Sequence, residues 1–359
     1  MKIDTGKMAN SIVINGKFLL VKVTGAQRVA HEIANRLPGM LAENGVPCKV
    51  LTPPAWIAKS KYRSIWATLW EQFVLPVKAR RSLLVNLCNS APVVGGRGQA
   101  VIIYDAAVFD APENYSWSFA SWNRFMARRL ARSAIFSASE FSRRQLSKAI
   151  KVRPESIALV EMGCDHIRNV GADVRIVERL GLSDKKFILA IGSIQPGKNF
   201  GRLIKAMDAV DDDVPLVVVG GIDPGVFGAS SELTSRRVIR AGYVSDEELV
   251  ALFQRAAVFV QPSVYEGFGL PALEAMALGV PIACSKAASL PEVCGDAAVY
   301  FEPYDVKSIA DAINRLLRDD TLQRQSIEKG VARATNFSWD HSTRQFASAL
   351  VSLAATESR

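Results

Sequence analysis

Short apolar runs alternate with amphipathic stretches along most of the chain. Ser11–Ile14, Cys48–Leu51, Leu83–Leu87, Ala100–Ile103 and Ala134–Ala138 are compact runs rich in Val, Ile, Leu and Ala. They are too short for helices and are bounded by polar or turn residues, so they predict strands buried on both faces of a parallel sheet. Phe187–Ile191, Pro215–Val219, Val238–Ala241, Ala257–Val260, Pro281–Cys284 and Ala298–Phe301 repeat the pattern in the second half. Between these runs the apolar positions take helical spacing, which predicts helices over Val29–Leu41, Phe119–Leu130, Phe200–Asp208, Asp246–Gln254, Pro271–Leu278 and Val306–Arg318. Such alternation reads as α/β with parallel sheets. At 359 residues the chain has the length of about two domains. The seam is expected within Gly163–Leu180, after the apolar run Ile157–Val160. This predicts a first domain over 1–165, a second over 166–339, and a final helix in 340–359 beginning after Ser338-Trp339.

The densest chemistry lies in Pro262–Pro303. The strand Ala257–Val260 runs into a glycine-bearing loop, Glu266-Gly267-Phe268-Gly269. A helix then opens near Pro271, a residue suited to a first helical turn, and Gly279 sits where a helix stop is expected. Backbone N–H groups at such a helix start are a ready site for a diphosphate. Glu266 and Glu274 bracket it, and a carboxylate is an acceptor pair suited to adjacent sugar hydroxyls. The simpler account is two solvated glutamates favoured by the helix dipole. A second loop, Gly192-Ser193-Ile194-Gln195-Pro196-Gly197-Lys198-Asn199, also follows a strand and precedes a helix. That places it at the C-terminal edge of a parallel sheet, where α/β proteins bind ligands. Lys198 can set a point charge on a diphosphate there, although an isolated lysine is ordinarily a surface residue.

Taken in order, Pro262-Ser263, Glu266-Gly267-Phe268-Gly269-Leu270-Pro271, Glu274-Ala275-Met276-Ala277 and Gly279-Val280-Pro281 resemble the nucleotide-sugar signature of glycosyltransferase family 4, with its two glutamates separated by seven residues. The resemblance implies a retaining enzyme of the GT-B fold: two Rossmann-like domains facing across a cleft, the first for the acceptor and the second for a nucleotide-sugar donor. It implies that Glu274 holds the nucleotide ribose hydroxyls and Glu266 contacts the donor sugar. Lys198 and the backbone of Gly267, Phe268, Gly269 and Leu270 would stabilise the leaving diphosphate. Gly192, Ser193 and Tyr243 complete the donor contacts implied by the family. Thr24-Gly25-Ala26-Gln27-Arg28 resembles a TGVQR-like opening in which Gly25 lets the diphosphate approach the backbone. Trp70-Glu71-Gln72 with Leu75-Pro76, and Ser139-Glu140-Phe141-Ser142-Arg143, also match the family's first domain.

Two positions depart from the pattern. Ser193 stands near the place of a frequent arginine, and Tyr104-Asp105 stands where many relatives carry His-Asp. Tyrosine can hydrogen-bond but cannot supply a neutral-pH base. Asp105 is either a catalytic contact to acceptor or donor sugar, or a strand-end cap. The first-half motifs, among them YDAAVFDAPENYS, most resemble bacterial transferases that use GDP-mannose or a related GDP-deoxyhexose in polysaccharide or O-antigen assembly. The implied acceptor is a glycan or a polyprenyl-diphosphate-linked saccharide, and the scheme needs neither a metal nor another cofactor. Two further readings stay open: a non-catalytic partner protein that kept the fold, and another GT-B enzyme such as a sugar phosphorylase.

Charge adds a candidate partner. Of the net +9, residues 1–165 hold 23 Lys+Arg against 11 Asp+Glu, or +12, and residues 166–359 hold 21 against 24, or −3. A basic half fits an anionic membrane or a diphosphate-linked lipid, and no nucleic-acid motif accompanies it. Trp66, Leu69, Trp70 and Phe73 recur at helical spacing beside Lys59, Lys61, Arg63, Lys78, Arg80 and Arg81. That stripe is either core packing or a membrane-surface face. Five scattered cysteines without a close CxxC pair fit reduced thiols in a cytoplasm. The opening MKIDTGKMAN lacks the apolar middle of a signal peptide, and no run of about 18 uncharged apolar residues is present, so the expected place is cytoplasmic or peripheral on the inner membrane face. His31, His166 and His341 read as isolated, with no metal-ligand spacing. Asp211-Asp212-Asp213 reads as a solvated turn, and Gly220–Gly225 lacks the dinucleotide-binding spacing.

Overall fold

The computed structural model describes residues 11–93, 98–211, 213–221 and 236–356. MKIDTGKMAN, Asp212 and the Ile222–Gly225 part of the glycine run lie outside the described residues. Twelve strands among the described residues form two sheets, and every pairing is parallel. The first sheet holds β1 (Ile12–Asn15), β2 (Cys48–Leu51), β3 (Leu83–Asn86), β4 (Gln99–Ile102), β5 (Ala134–Ser137) and β6 (Ile157–Leu159) in the order β2-β1-β3-β4-β5-β6. The second holds β7 (Ile188–Ile191), β8 (Leu216–Val219), β9 (Val238–Gly242), β10 (Val258–Gln261), β11 (Ile282–Ser285) and β12 (Ala298–Phe301) in the order β12-β11-β10-β7-β8-β9. The alternation of strand and helix expected from the sequence is therefore present twice.

The central strands are buried along their whole length, as in β3, β4, β8, β10 and β11. That burial explains why they read as unbroken apolar runs. In the second unit Ile188, Val218, Val258 and Val260 pack with Leu203 and Ile313 from the flanking helices. The longest helix of that unit among the described residues, Asp320–Ala334, is one that the apolar pattern does not predict. Its inner face carries Ser326 and Gly330 in place of large apolar residues. Ser326 donates to the Ala297 carbonyl at 2.6 Å, and a Cβ at Gly330 would stand 3.2 Å from the Met276 side chain.

The chain divides into two compact units. One comprises Met1–Ala106, Ser121–Met162 and Trp339–Arg359, and the other Ala107–Ala120 and Gly163–Ser338. In the first unit the closing helix, Trp339–Thr356, packs along the helix Gly25–Ala42. Phe346 meets Phe136 edge-on at 4.7 Å, and Arg36 donates to Asp340 at 2.8 Å.

The switch point of the first sheet lies between β1 and β3, whose last residues are Asn15 and Asn86. A buried polar network fills it. Glu71 is 1% exposed. Its Oε1 accepts from Asn15 at 2.9 Å and Ser90 at 2.7 Å, and its Oε2 accepts from Lys17 Nζ at 2.6 Å. Asn15 also donates to Asn86 at 3.0 Å. Trp70–Val74 winds as a π-turn, which lets the consecutive residues Trp70, Glu71 and Gln72 all face inward. Gln72 in turn donates to the Ala91 carbonyl and accepts from the Val93 N–H. The Trp-Glu-Gln motif is thus a lock that fastens the 90–93 loop and the ends of two strands.

The aromatic stripe splits between the two readings left open. Trp70 is core, packed with Val13, Ile57, Leu75 and Leu84. Trp66, Leu69 and Phe73 face outward, with Phe73 64% exposed, and Trp56, Tyr62, Ile65 and Val77 join them.

Replacing Glu71 by Ala removes the common acceptor of three donors and leaves Lys17 without its partner. The expected loss is roughly 3 kcal/mol of unfolding free energy, by the cost of stripping one member from a buried charged pair. Urea denaturation of E71A against the wild type measures it. An unchanged midpoint would show that the network contributes nothing to stability.

Candidate active site

The strand order of the second sheet reverses direction between β7 and β10. Successive right-handed crossovers leave these neighbours toward opposite faces, so a crevice opens beyond their C-terminal ends. The loops that leave those two ends are Gly192–Asn199 and Pro262–Gly269. Both loops singled out in the sequence therefore meet at the one edge of the sheet where topology places a ligand.

The loops are fastened to each other by backbone and by one asparagine. Val264 N–H donates to the Gly197 carbonyl at 3.0 Å. Asn199 takes a left-handed conformation with φ of 59°. From there its amide donates to the Pro262 carbonyl at 3.0 Å and the Pro303 carbonyl at 2.7 Å. Asparagine tolerates that backbone region better than most side-chain-bearing residues. Gly269 is needed for two reasons: its φ is +105°, and a Cβ there would come within 2.6 Å of Leu290 Cδ2. It caps the helix Leu270–Ala277: its carbonyl accepts from the Ala272 N–H at 3.0 Å and the Leu273 N–H at 3.2 Å, and Pro271 in the first turn has no N–H to satisfy.

Lys198 and Glu266 are brought together. Nζ lies 2.6 Å from Oε1, with the two side chains 18% and 10% exposed. The same Oε1 accepts from Gln261 Nε2 and from Ser263 Oγ, each at 2.7 Å. Gln261 and Ser263 are fully buried, and Ser285 Oγ holds the Ser263 carbonyl at 2.6 Å. Ser289 Oγ lies 2.9 Å from the carbonyls of both Glu266 and Phe268 and shares its one proton between them, which fixes the loop's course. Glu266 Oε1 is thereby saturated by the protein, while Oε2 makes no hydrogen bond among the described residues. Glu274 sits within the helix Leu270–Ala277, and His166 Nε2 approaches its Oε1 at 3.0 Å. The reading of His166 as isolated is corrected by this contact.

The remaining expected residues fall as follows. Gly192 lies against the Lys198 stem, where a Cβ would touch Cδ at 3.4 Å. Ser193 follows it in the same loop, half-buried. Tyr243 lies over Gly221, where any Cβ would fall 2.4 Å from the ring. Gly267 and Phe268 are buried in the second loop, and Leu270 is buried at the start of the helix that follows it. Gly25 and Asp105 belong to the first unit. A Cβ at Gly25 would meet nothing within 4 Å, so no protein atom demands glycine there. Asp105 is half-buried just beyond β4. Among the described residues, no cluster of three His, Cys, Asp or Glu side chains is placed to hold a metal.

Several contributors were not read from the sequence. Gln261 ends a buried strand with a polar residue, which was a usable signal. Asn114 is buried with its amide 2.9 Å from where a Gly197 Cβ would be, and Tyr265 donates to Asp110 at 2.8 Å. Both Asp110 and Asn114 come from Ala107–Ala120, so a first-half segment braces the second unit's loops.

Tyr104 is accounted for within the first unit. Its hydroxyl donates to the Leu87 carbonyl at 2.6 Å, and its N–H to Asn89 Oδ1 at 2.7 Å. Burial, with a smaller contribution from Cys88, holds the phenol well above its ordinary pKa. Burial likewise pushes the Cys88 thiol up to about 12, with Glu71 adding to it. Tyr104 is therefore a neutral, internally bonded side chain.

The comparisons agree with this geometry. Residues 175–333 match the family model described as Glycosyl transferases group 1. The O-antigen chain mannosyltransferase B of Escherichia coli is 33% identical over 258 residues, 67% of this chain and 67% of that protein. The serotype-specific mannosyltransferase WbdA of Escherichia coli is 31% identical over 195 residues, 52% of this chain but only 23% of WbdA, so this chain spans under a quarter of that relative. Among solved structures, Anabaena Alr3699/HepE in complex with UDP and glucose superposes with a TM-score of 0.72 at 18% identity, covering 95% of this chain and 99% of that one. The fold and loops define a glycosyltransferase of GT-B type. The chain belongs to the group 1 glycosyl transferases.

Tyr104→Phe should leave turnover within about threefold and lower stability by roughly 1 kcal/mol, the worth of one buried hydrogen bond. Steady-state kinetics and urea denaturation check both. Loss of transfer activity by about 100-fold or more would instead place the hydroxyl in the chemistry.

Proposed function

We propose that the protein transfers a hexose, mannose or a related deoxyhexose, from a GDP-linked donor to a glycan or lipid-linked saccharide, with retention of anomeric configuration. The observation that carries this reading is the Lys198–Glu266 pair at the switch point, beside a helix start opened by Gly269. The barrier lies in breaking the anomeric C–O bond to the diphosphate. Negative charge then grows on the leaving phosphate. Lys198 keeps two further N–H donors beyond its bond to Glu266, and the start of the helix Leu270–Ala277 adds a fixed dipole. Both are in place before reaction, because the loops are tied by Asn199, Ser289 and the Val264–Gly197 bond.

In the proposed scheme Glu266 Oε2 accepts from a donor-sugar hydroxyl and Glu274 Oε2 from the ribose. The acceptor hydroxyl attacks the anomeric carbon on the face that the phosphate leaves. Its proton passes to the departing phosphate oxygen, so Tyr104 need not act as a base. The products are the glycoside and GDP. Gly25 and Asp105 are proposed to meet diphosphate and sugar. The choice of mannose and of a saccharide acceptor draws on the relatives, which are named as O-antigen and serotype-specific mannosyltransferases.

A second observation bears on where the acceptor is met. No helix among the described residues is long and apolar enough to cross a membrane. The first unit instead exposes Trp56, Ile65, Trp66, Phe73 and Val77 beside Lys59, Lys61, Arg63 and Lys78. Aromatic side chains among cations favour an anionic lipid surface, where ring and charge act together.

A thermal-shift panel of GDP, UDP, ADP and their sugar conjugates tests the donor. GDP compounds should raise the melting point selectively, and Lys198→Ala and Glu274→Ala should abolish most of that shift and lower transfer by about 100-fold. Wild-type turnover in both variants would refute the site. On the membrane side, the wild type should sediment with phosphatidylglycerol vesicles at low salt and be released at high salt, and Trp66→Ser with Phe73→Ser should stay in the supernatant. Equal sedimentation of the double variant would remove the surface from consideration.

A further inference from the structure

Each of the two glutamates has one carboxylate oxygen held by the protein. For Glu266 the holders are Lys198 and Ser263 from the two loops and Gln261 from the end of β10. For Glu274 the holder is His166, 108 residues away in sequence. The side chains of His166 and Glu274 are 5% and 8% exposed. A histidine buried against a carboxylate of a ligand site is an arrangement that core packing alone does not call for.

The position of His166 is itself fixed. It lies in the short helix Asp165–Arg168, directly after Cys164. The Cys164 N–H donates to the Phe337 carbonyl at 3.3 Å, and its thiol approaches the Ala334 carbonyl at 3.4 Å. The helix packs on Leu270–Ala277, which carries Glu274, and Phe337 meets Phe268 of the donor loop edge-on at 6.0 Å. His166 is thus anchored by the end of the long helix Asp320–Ala334 and applied to Glu274 from a rigid base.

We propose that His166 is a positioning residue for donor recognition: its Nε2–H holds Glu274 Oε1, so that the carboxylate keeps one rotamer and presents Oε2 to the ribose diol. The inference rests on the reading of Glu274 as the ribose contact. Without His166 the carboxylate turns freely and is solvated as a pair of equivalent oxygens. Two-point acceptance from adjacent hydroxyls then loses its preorganisation. The effect falls on nucleotide binding and not on bond breaking, because His166 acts through Glu274 and touches neither the anomeric carbon nor the phosphate.

The test compares wild type, His166→Ala, His166→Gln and His166→Asn. Binding is measured for the nucleoside diphosphate (GDP, UDP or ADP) that the wild type takes, and for its 2′-deoxy and 3′-deoxy forms. His166→Ala should weaken the ribonucleotide about tenfold, raise donor KM by the same factor and leave kcat within about threefold. It should bind the deoxy forms as the wild type does, since the contact they lack is the one already lost. Gln, whose amide N–H can take the place of Nε2–H, should recover most of the affinity, whereas Asn, which is one methylene shorter, should not. If Ala misfolds, as its melting point would show, the Gln–Asn comparison decides. Equal affinity of Gln and Asn, or full discrimination against the deoxy forms in His166→Ala, overturns the proposal. If Glu274→Ala also binds the ribonucleotide like the wild type, the ribose reading of Glu274 has failed and the inference falls with it.

Discussion

Two neighbouring strands that hand the chain to opposite faces of one sheet set the terms for the second unit. Beyond the ends of β7 and β10 no crossover helix covers the sheet edge, and two loops must close it between them. Everything notable about those loops follows from that demand. Glycine at 269 and asparagine at 199 take backbone conformations that other residues resist. Gly197 and Gly221 leave room for Asn114 and for the Tyr243 ring. The cation and the carboxylate that result are held by neighbours already in place, so the field at the edge exists before any ligand arrives.

The first sheet has a switch point of its own and treats it differently. There the edge is filled by Asn15, Glu71, Asn86, Lys17 and Ser90, each bonded to another member. A charged pair of similar length appears at both edges, 2.6 Å for Lys17–Glu71 and 2.6 Å for Lys198–Glu266. The difference lies in what remains. Both oxygens of Glu71 are used within the network, whereas Glu266 keeps one oxygen without a hydrogen bond among the described residues. One sheet edge is closed as structure and the other is left chemically unsaturated.

The sequence showed the strands well because burial on both faces removes any need for alternation; Leu216–Val219 is simply four apolar residues. The two loops at the switch point of the second sheet were legible because glycine, proline and paired glutamates in a fixed order have few other uses. What stayed hidden had a physical reason in each case. Asp320–Ala334 packs through Ser326 and Gly330, so its buried face has no apolar period to detect. His166 finds its carboxylate only through tertiary folding across 108 residues. The stripe at Trp66–Phe73 could not be assigned to core or surface from spacing, because a π-turn shifts the phase midway and sends Trp70 inward while Phe73 points out. The Tyr104 hydroxyl donates to the Leu87 carbonyl, a contact that position along the chain does not announce.

The route of the chain carries a consequence for descent. Because Ala107–Ala120 belongs with the second unit and Trp339–Arg359 with the first, the polypeptide passes from one unit to the other four times. A single genetic crossover at the middle of the gene would carry away the body of the second unit and leave behind the segment that supplies Asn114 and Asp110. It would also separate the helix Gly25–Ala42 from the helix that lies along it. Exchange of halves by recombination therefore breaks packing within both units. New specificities in this architecture are more readily reached by point changes in the loops than by shuffling of modules.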